Sequence, residues 1–246
     1  LGIAEDKFVV FAVGGSQGAR TINRAVADSL VHLKDLSGLE IIHVTGRGTA
    51  EYNGILDTIK RLEKNALKES ELSFYKRLDY AENIKDYYFA ADIIITRGGG
   101  TINEIAVSGT PSLIIPKANL SGDHQVMNAI SMQDSGASDI LYEEVMPEDG
   151  KLYIKVEGKK LADKILYYYN NRAGLSEMSK RSYDSVIRNA NDEIYNFIKD
   201  ISEGKPHESG VYPQPQKNIY AEMNAYAIHR SLRKLSSEEI RQSEYY

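Results

Sequence analysis

Short runs of uninterrupted apolar residues alternate along this chain with stretches whose apolar positions recur at helical spacing. Phe8–Val13 (FVVFAV), Leu39–Thr45 (LEIIHVT), Asp92–Thr96 (DIIIT) and Pro111–Ile115 (PSLII) are of the first kind and read as buried strands. Pro116 stops the last of them. Leu72–Lys76 reads as a short third strand and Ser138–Leu141 as a short edge strand. Between them the pattern predicts helices over Ala19–Leu33, Tyr52–Leu67, Ile84–Ala91, Thr101–Ser108 and Gln125–Ser135, with two or three more from Gly158 to Ile201. A strand that is apolar at every position has no solvated face. Its alternation with helices therefore predicts an α/β fold, a Rossmann-like doubly wound parallel sheet covered on both sides. Such sheets bind ligands beyond the carboxyl ends of their strands. The loops after Val13, Thr45, Thr96 and Ile115 are the ones to inspect.

The pattern changes after Ile201. Residues 202–246 open with a linker rich in Gly, Pro and Ser (EGKPHESGVYPQPQ). A helical pattern over Ile219–Leu235 and a capping-box signal, Ser236-x-x-Glu239, follow. The chain thus divides into a domain of residues 1–201 and a tail of residues 202–246, read either as an appendage or as a docking helix for a partner.

Composition narrows the function. With 246 residues and 42% apolar, the chain can bury a sizeable core. Its net charge of -5 disfavours a general nucleic-acid binder, yet a local site can still oppose that charge and hold a small anion. No Cys is present, so disulfides and thiolate metal sites are excluded, and a reducing cytoplasm is compatible. No run approaches the ~20 apolar residues of a membrane span. The chain starts at Leu1 without a leader-like segment and enters a core strand within ten residues, which reads as part of a longer protein.

Three loops carry the candidate chemistry. Gly14-Gly15-Ser16-Gln17-Gly18-Ala19-Arg20 joins the first strand to the first helix. Glycines let an anion approach the backbone, where free N–H groups and the positive helix end face it, and Ser16 and Gln17 add side-chain donors. A plain strand–helix turn is the competing reading. Neither Walker-A spacing nor GxGxxG is present, which disfavours an ATPase and a standard dinucleotide enzyme. Arg97-Gly98-Gly99-Gly100-Thr101-Ile102-Asn103-Glu104 follows another strand. Thr101 and Glu104 have the spacing of a reciprocal helix cap. Glu104 also suits a carboxylate accepting both hydroxyls of a ribose, and residue spacing alone leaves both readings open. After Pro116 a polar loop brings Asp123, His124, Gln125 and Asn128 toward a helix start, where amides and carboxylates read hydroxyl-rich ligands. His124 reads as a cap or orienting residue, because no Ser or Cys nucleophile motif accompanies it.

GGSQGAR, the GGGTINE loop with GTPSLIIP, and DHQVMNA, in this order, resemble the C-terminal domain of the MurG family over roughly Leu1–Asp200. That family transfers N-acetylglucosamine from UDP to a lipid-linked muramyl-peptide in peptidoglycan synthesis. The resemblance implies a GT-B fold of two Rossmann-like domains, of which this one binds the sugar nucleotide. It implies that Gly15, Ser16, Gln17 and Gly18 lie at the diphosphate or the interdomain cleft. It further implies that the Tyr80-Ala81 backbone reads uracil, that Gly99, Gly100 and Thr101 lie near the phosphates, and that Glu104 holds the ribose. Gln125 would contact the sugar with Asn128 in support. No metal or cofactor is implied, and the UDP leaving group would be stabilised by helix N-termini. The loop before Thr101 is one residue shorter than the family's, which bears most on the phosphate contacts. The lipid-linked acceptor, any peripheral contact with the cytoplasmic face of a membrane, and the catalytic base would all belong to an N-terminal domain outside Leu1–Tyr246. Two further readings share the fold: a UDP-N-acetylglucosamine 2-epimerase, against which GGSQGAR argues, and the donor-binding subunit of a split transferase.

Overall fold

The computed structural model of the protein describes residues 1–117, 124–186 and 190–204. Six strands form one parallel sheet: β1 (Phe8–Val13), β2 (Leu39–Val44), β3 (Tyr75–Leu78), β4 (Ile93–Thr96), β5 (Ser112–Ile114) and β6 (Ser138–Ile140). Their order is β3-β2-β1-β4-β5-β6, so the chain winds outward from β1 in one direction and then returns to wind outward in the other. The helices are α1 (Arg20–Ser29), α2 (Gly54–Lys64), α3 (Ile84–Ala90), α4 (Thr101–Ser108), α5 (His124–Asp134), α6 (Gly158–Asn170), α7 (Arg172–Asp184) and α8 (Ala190–Ser202). None of them is long and apolar enough to cross a membrane.

The unbroken apolar run of β1 is explained by its two covered faces. Phe8, Val10 and Ala12 point into one core with Ile22 and Val26 of α1, Leu62 of α2 and Leu161 and Ile165 of α6. Val9, Phe11 and Val13 point into the other, with Tyr88 of α3 and Ile105 of α4. Helices α4 and α5 extend that second layer over Ile114 and Ile140. The doubly wound α/β architecture is the one expected from the sequence.

Several elements differ from their expected positions. The third strand lies at Tyr75–Leu78 rather than Leu72–Lys76, because its register is set by β2, with Ile41 opposite Tyr75 and Val44 opposite Leu78. Leu72 is still buried, but as the turn whose carbonyl accepts the Tyr75 N–H. Helix α1 ends at Ser29, and Leu30–His32 continue as a 3₁₀ turn. An antiparallel hairpin of β7 (Glu144–Glu148) and β8 (Lys151–Lys155), turned at Asp149-Gly150, was not expected. Arg61 of α2 fixes it by forking onto Asp28 of α1 (2.6 Å to each oxygen) and pairing with Glu148. Burial alone would raise the Glu148 carboxyl, but Arg61, Lys64 and Lys155 hold it well below the usual carboxylate range. The Ile219–Leu235 helix, the Ser236/Glu239 box and Asp123 lie outside the described residues.

His43 of β2 is fully buried between two layers of polar partners. Asn23 spends both amide hydrogens, on the Thr45 carbonyl and the Tyr52 hydroxyl (2.9 Å each), so its Oδ1 must accept from His43 Nε2 at 3.0 Å. His43 Nδ1 then accepts from the Tyr75 hydroxyl at 2.9 Å. Burial, reinforced by Arg77, pushes the imidazole down to about 3. A depressed folded-state value means that the unfolded chain takes up the proton first. Stability is therefore complete above about pH 6.5 and declines as the pH falls below it, by up to about 1.4 kcal/mol per unit from this one group. Urea denaturation between pH 7.5 and 5 should show this slope, and a His43→Gln variant, although less stable, should lose most of it.

Candidate functional site

The site forms where β1 and β4 end side by side. Val13 is registered with Thr96, so the loops beginning at Gly14 and Arg97 leave adjacent strand ends at the point where the winding direction reverses. The first loop is held by backbone contact with the exit of β2. A Cβ on Gly18 (φ +82°) would lie 2.0 Å from the Thr45 carbonyl oxygen, and one on Gly46 (φ +85°) 2.1 Å from the Gly18 nitrogen. The Arg47 N–H closes the contact by donating to the Ser16 carbonyl at 2.9 Å. The second loop is held against the start of α5: a Cβ on Gly98 would lie 2.1 Å from the Gln125 carbonyl, and Asn128 Nδ2 donates to the Gly98 carbonyl at 2.9 Å. Asn128 therefore positions the loop. Gly99 and Gly100 differ from these, since a Cβ on either would meet no protein atom within 4 Å. Packing does not account for them, and the backbone there stands open.

Two hollows flank the first loop. A pocket of about 270 Å³ is lined by Gly15, Ser16, Tyr80, Ala81 and Thr101, with Val13, Val44 and Ile84 below. A wider cleft of about 460 Å³ on the other side is lined by Gln17, Gly18, Arg20, Tyr52, Arg97, Lys117, Gln125 and Glu143 among others. The expected site residues thus divide between them. Gly15, Ser16, Ala81 and Thr101 line the pocket, and Gln17, Gly18 and Gln125 line the cleft. Gly99 and Gly100 belong to the open second loop.

Helix α4 begins at Thr101 with Gly100 as its N-cap and with no side-chain capping bond. The reciprocal Thr101–Glu104 cap allowed by the sequence is therefore absent. Thr101 is already the first helical residue, which puts Glu104 one place too far along for capping-box spacing. Glu104 is exposed, one turn from Thr101 on α4. It stands beside the buried Tyr88 phenol, which burial and then the Glu104 carboxylate push up to about 12. The Tyr88 hydroxyl makes no hydrogen bond within bonding geometry. Gln125 accepts the Lys117 N–H on Oε1 at 2.9 Å, which leaves its NH₂ group as the end available to a ligand. His124 is exposed as the first residue of α5.

Several residues of the site lay outside the expected set. Arg97 is 13% exposed, pairs with the 3% exposed Glu143 at 2.6 Å and donates to the Ile115 carbonyl at 3.0 Å. It bridges the ends of β4 and β5 while presenting its remaining N–H groups to the cleft. Tyr52, on the opposite wall, is held by Asn23 and by Asp57 at 3.3 Å, and Arg20 lies 5.0 Å above its ring. Burial pushes the Tyr52 phenol up to about 12. The position of Arg97 directly after a buried strand and before three glycines was the one available signal.

Adjacent loops at the switch point of a doubly wound sheet, with a pocket on one side and a cleft on the other, define the class: a Rossmann-like α/β domain with a ligand site at the carboxyl ends of its strands. The chain belongs to glycosyltransferase family 28, matching the C-terminal domain of that family over residues 9–200. It is 32% identical over 206 residues to the UDP-N-acetylglucosamine–N-acetylmuramyl-(pentapeptide) pyrophosphoryl-undecaprenol N-acetylglucosamine transferase of Acetivibrio thermocellus, covering 83% of this chain and 50% of that one. The crystal structure of Acinetobacter baumannii MurG shares the fold at a TM-score of 0.61 and 22% identity, over 80% of this chain and 51% of that one. A UDP-GlcNAc 2-epimerase from Neisseria meningitidis, bound to UDP-GlcNAc, shares it at 0.54 and 11% identity, over 80% and 46%. The chain spans about half the length of the curated relatives it matches.

The glycines should separate by experiment. Gly18→Ala or Gly46→Ala adds positive-φ strain and backbone overlap, and should cost about 2–5 kcal/mol in chemical denaturation. Gly99→Ala and Gly100→Ala should each change stability by less than about 1 kcal/mol.

Proposed function

We propose that this domain binds UDP-N-acetylglucosamine as the donor for inverting transfer to a lipid-linked muramyl-peptide, the step from lipid I to lipid II in peptidoglycan synthesis. The observation that carries the reading is the two-sided site, with a small pocket at Tyr80-Ala81 and a larger cleft at Gln125, joined across glycine backbone in a family 28 chain. Uracil occupies the pocket against the Tyr80-Ala81 backbone. The diphosphate crosses Gly15, Ser16, Gly99, Gly100 and Thr101, near the starts of α1 and α4, where free N–H groups and the helix dipoles favour negative charge. Glu104 accepts the ribose hydroxyls, a role consistent with a carboxylate not used as a cap. The sugar enters the cleft, where the Gln125 NH₂ donates to its oxygens.

In the transfer, the acceptor hydroxyl attacks the anomeric carbon. The new C–O bond forms as the bond to the β-phosphate oxygen breaks, and UDP leaves with the electron pair. The proton passes to a base that no described residue of this chain is assigned to supply. The acceptor, the base and any peripheral contact with the cytoplasmic membrane face belong to a partner domain equivalent to the other half of the relatives. This chain alone binds donor without turning it over.

Calorimetry on the purified chain tests the donor assignment. UDP-N-acetylglucosamine should bind clearly more tightly than GDP- or ADP-sugars, and equal affinities would remove the uracil pocket. Glu104→Ala should weaken UDP by about 1.5–3 kcal/mol with little change in melting temperature. A loss of stability at unchanged affinity would show Glu104 to be structural.

A further inference from the structure

Arg47 follows Gly46 in the loop after β2, and neither the sequence reading nor the proposed donor contacts give it a role. Its backbone N–H is tied to the Ser16 carbonyl at 2.9 Å. Its guanidinium carbon lies 3.7 Å from the centroid of the Tyr80 ring, close enough for face-to-face stacking. Ser16 and Tyr80 both line the nucleoside pocket. The cation is thus fixed at both ends to the walls of one hollow, and the residue as a whole is exposed. Among the described residues it has no carboxylate partner, unlike Arg24, Arg61 and Arg97, each of which is forked or paired with an acid.

Stacking uses only the face of a guanidinium. The five N–H groups point outward in its plane, and that edge is the one that matches phosphate oxygens. The cation–π contact with Tyr80 engages the face and the charge of the guanidinium, but it leaves the N–H edge without a partner among the described residues.

We propose that Arg47 reads the diphosphate of the donor, supplying from the end of β2 a positive charge that complements the neutral N–H groups of the glycine loops. The assignment rests on the nucleotide-sugar reading of this site. It makes the pocket selective for nucleoside diphosphates over nucleosides, with Tyr80 serving both as the wall of the base pocket and as the platform that aims the cation.

Uridine, UMP and UDP should be titrated into the wild-type chain, Arg47→Ala and Arg47→Gln, at low and at moderate salt, with melting temperature as the fold control. Gln keeps a planar polar end on a shorter stem and removes the charge. Both variants should bind UDP about tenfold or more weakly, bind uridine within about twofold of wild type, and lose part of the salt dependence of UDP binding. Equal weakening of uridine and UDP would make Arg47 a brace for Tyr80 and overturn the proposal. UDP affinity unchanged in Arg47→Gln would overturn it as well. A wild-type chain that ignores UDP altogether would refute the nucleotide-sugar reading itself, and this assignment with it, a result distinguishable from the other two because it precedes any mutation.

Discussion

The pairing of β1 with β4 is the constraint from which the site follows. These strands are far apart in sequence, with the β2 and β3 units between them, yet they must share a register to within one residue. Asp92 fixes it at their amino ends, where its carboxylate accepts the Val9 N–H at 2.7 Å, its own N–H donates to the Val9 carbonyl at 2.8 Å, and Arg172 holds its other oxygen. From that clamp the ladder runs to Val13 opposite Thr96. A slip of one residue would exchange the faces of β4, turning Ile93 and Ile95 out of one core and Ile94 out of the other. It would also separate the two glycine loops, which are adjacent only because the strands end together.

Register brings the loops together, and buried polar contacts make the first of them rigid. Asn23 is the hub. From a fully buried position on α1 it holds the Thr45 carbonyl, against which Gly18 packs, and the Tyr52 hydroxyl on the cleft wall. His43 and Tyr75 complete its hydrogen bonding, so no polar atom of that cluster is left unmet. Helix α1, strand β2 and the loop carrying Tyr52 are thereby locked around the turn Gly14–Gly18. A loop that binds through backbone N–H groups depends on such support, because its selectivity lies in where the peptide planes point rather than in side chains that can adjust.

The sheet was legible because its strands carry the plainest signal a sequence offers, apolar runs bounded by glycine, proline or polar residues. The site loops were legible because glycine and short polar residues cluster directly after those runs. The hairpin β7–β8 was not, although Asp149-Gly150 is a strong hairpin turn. Only Val145 and Leu152 of its strands are among the buried hydrophobic residues, and Pro147 argues against a strand. It is held instead by ion pairs to α2 and α6, which leave no periodicity. The capping-box spacing at Thr101 left the role of Glu104 open for a related reason. That spacing is a local pattern, whereas the loop before the helix is fixed by the packing of Gly98 against Gln125 and Asn128 of α5. Arg97–Glu143 and Asn23–His43 join residues on separate elements, and neither partner is unusual until the fold places them together.

The charge distribution explains how a chain of net charge -5 offers a place to an anion. Arg20, Arg47, Arg97 and Lys117 all stand around the two hollows at the carboxyl ends of the strands. Among the described residues only Arg97 of these four is paired with a carboxylate, Glu143, and that pair is nearly buried. Many of the remaining acids are engaged away from this rim: Asp28 and Glu148 at the hairpin, Asp92 at the opposite end of the sheet, and Asp139 with Lys164 and Tyr168. Acids held in ion pairs project little field beyond their partners, while cations without acids project theirs into the cleft. The sign of the site is therefore set by which charges are left uncompensated, and the overall excess of acid does not oppose it.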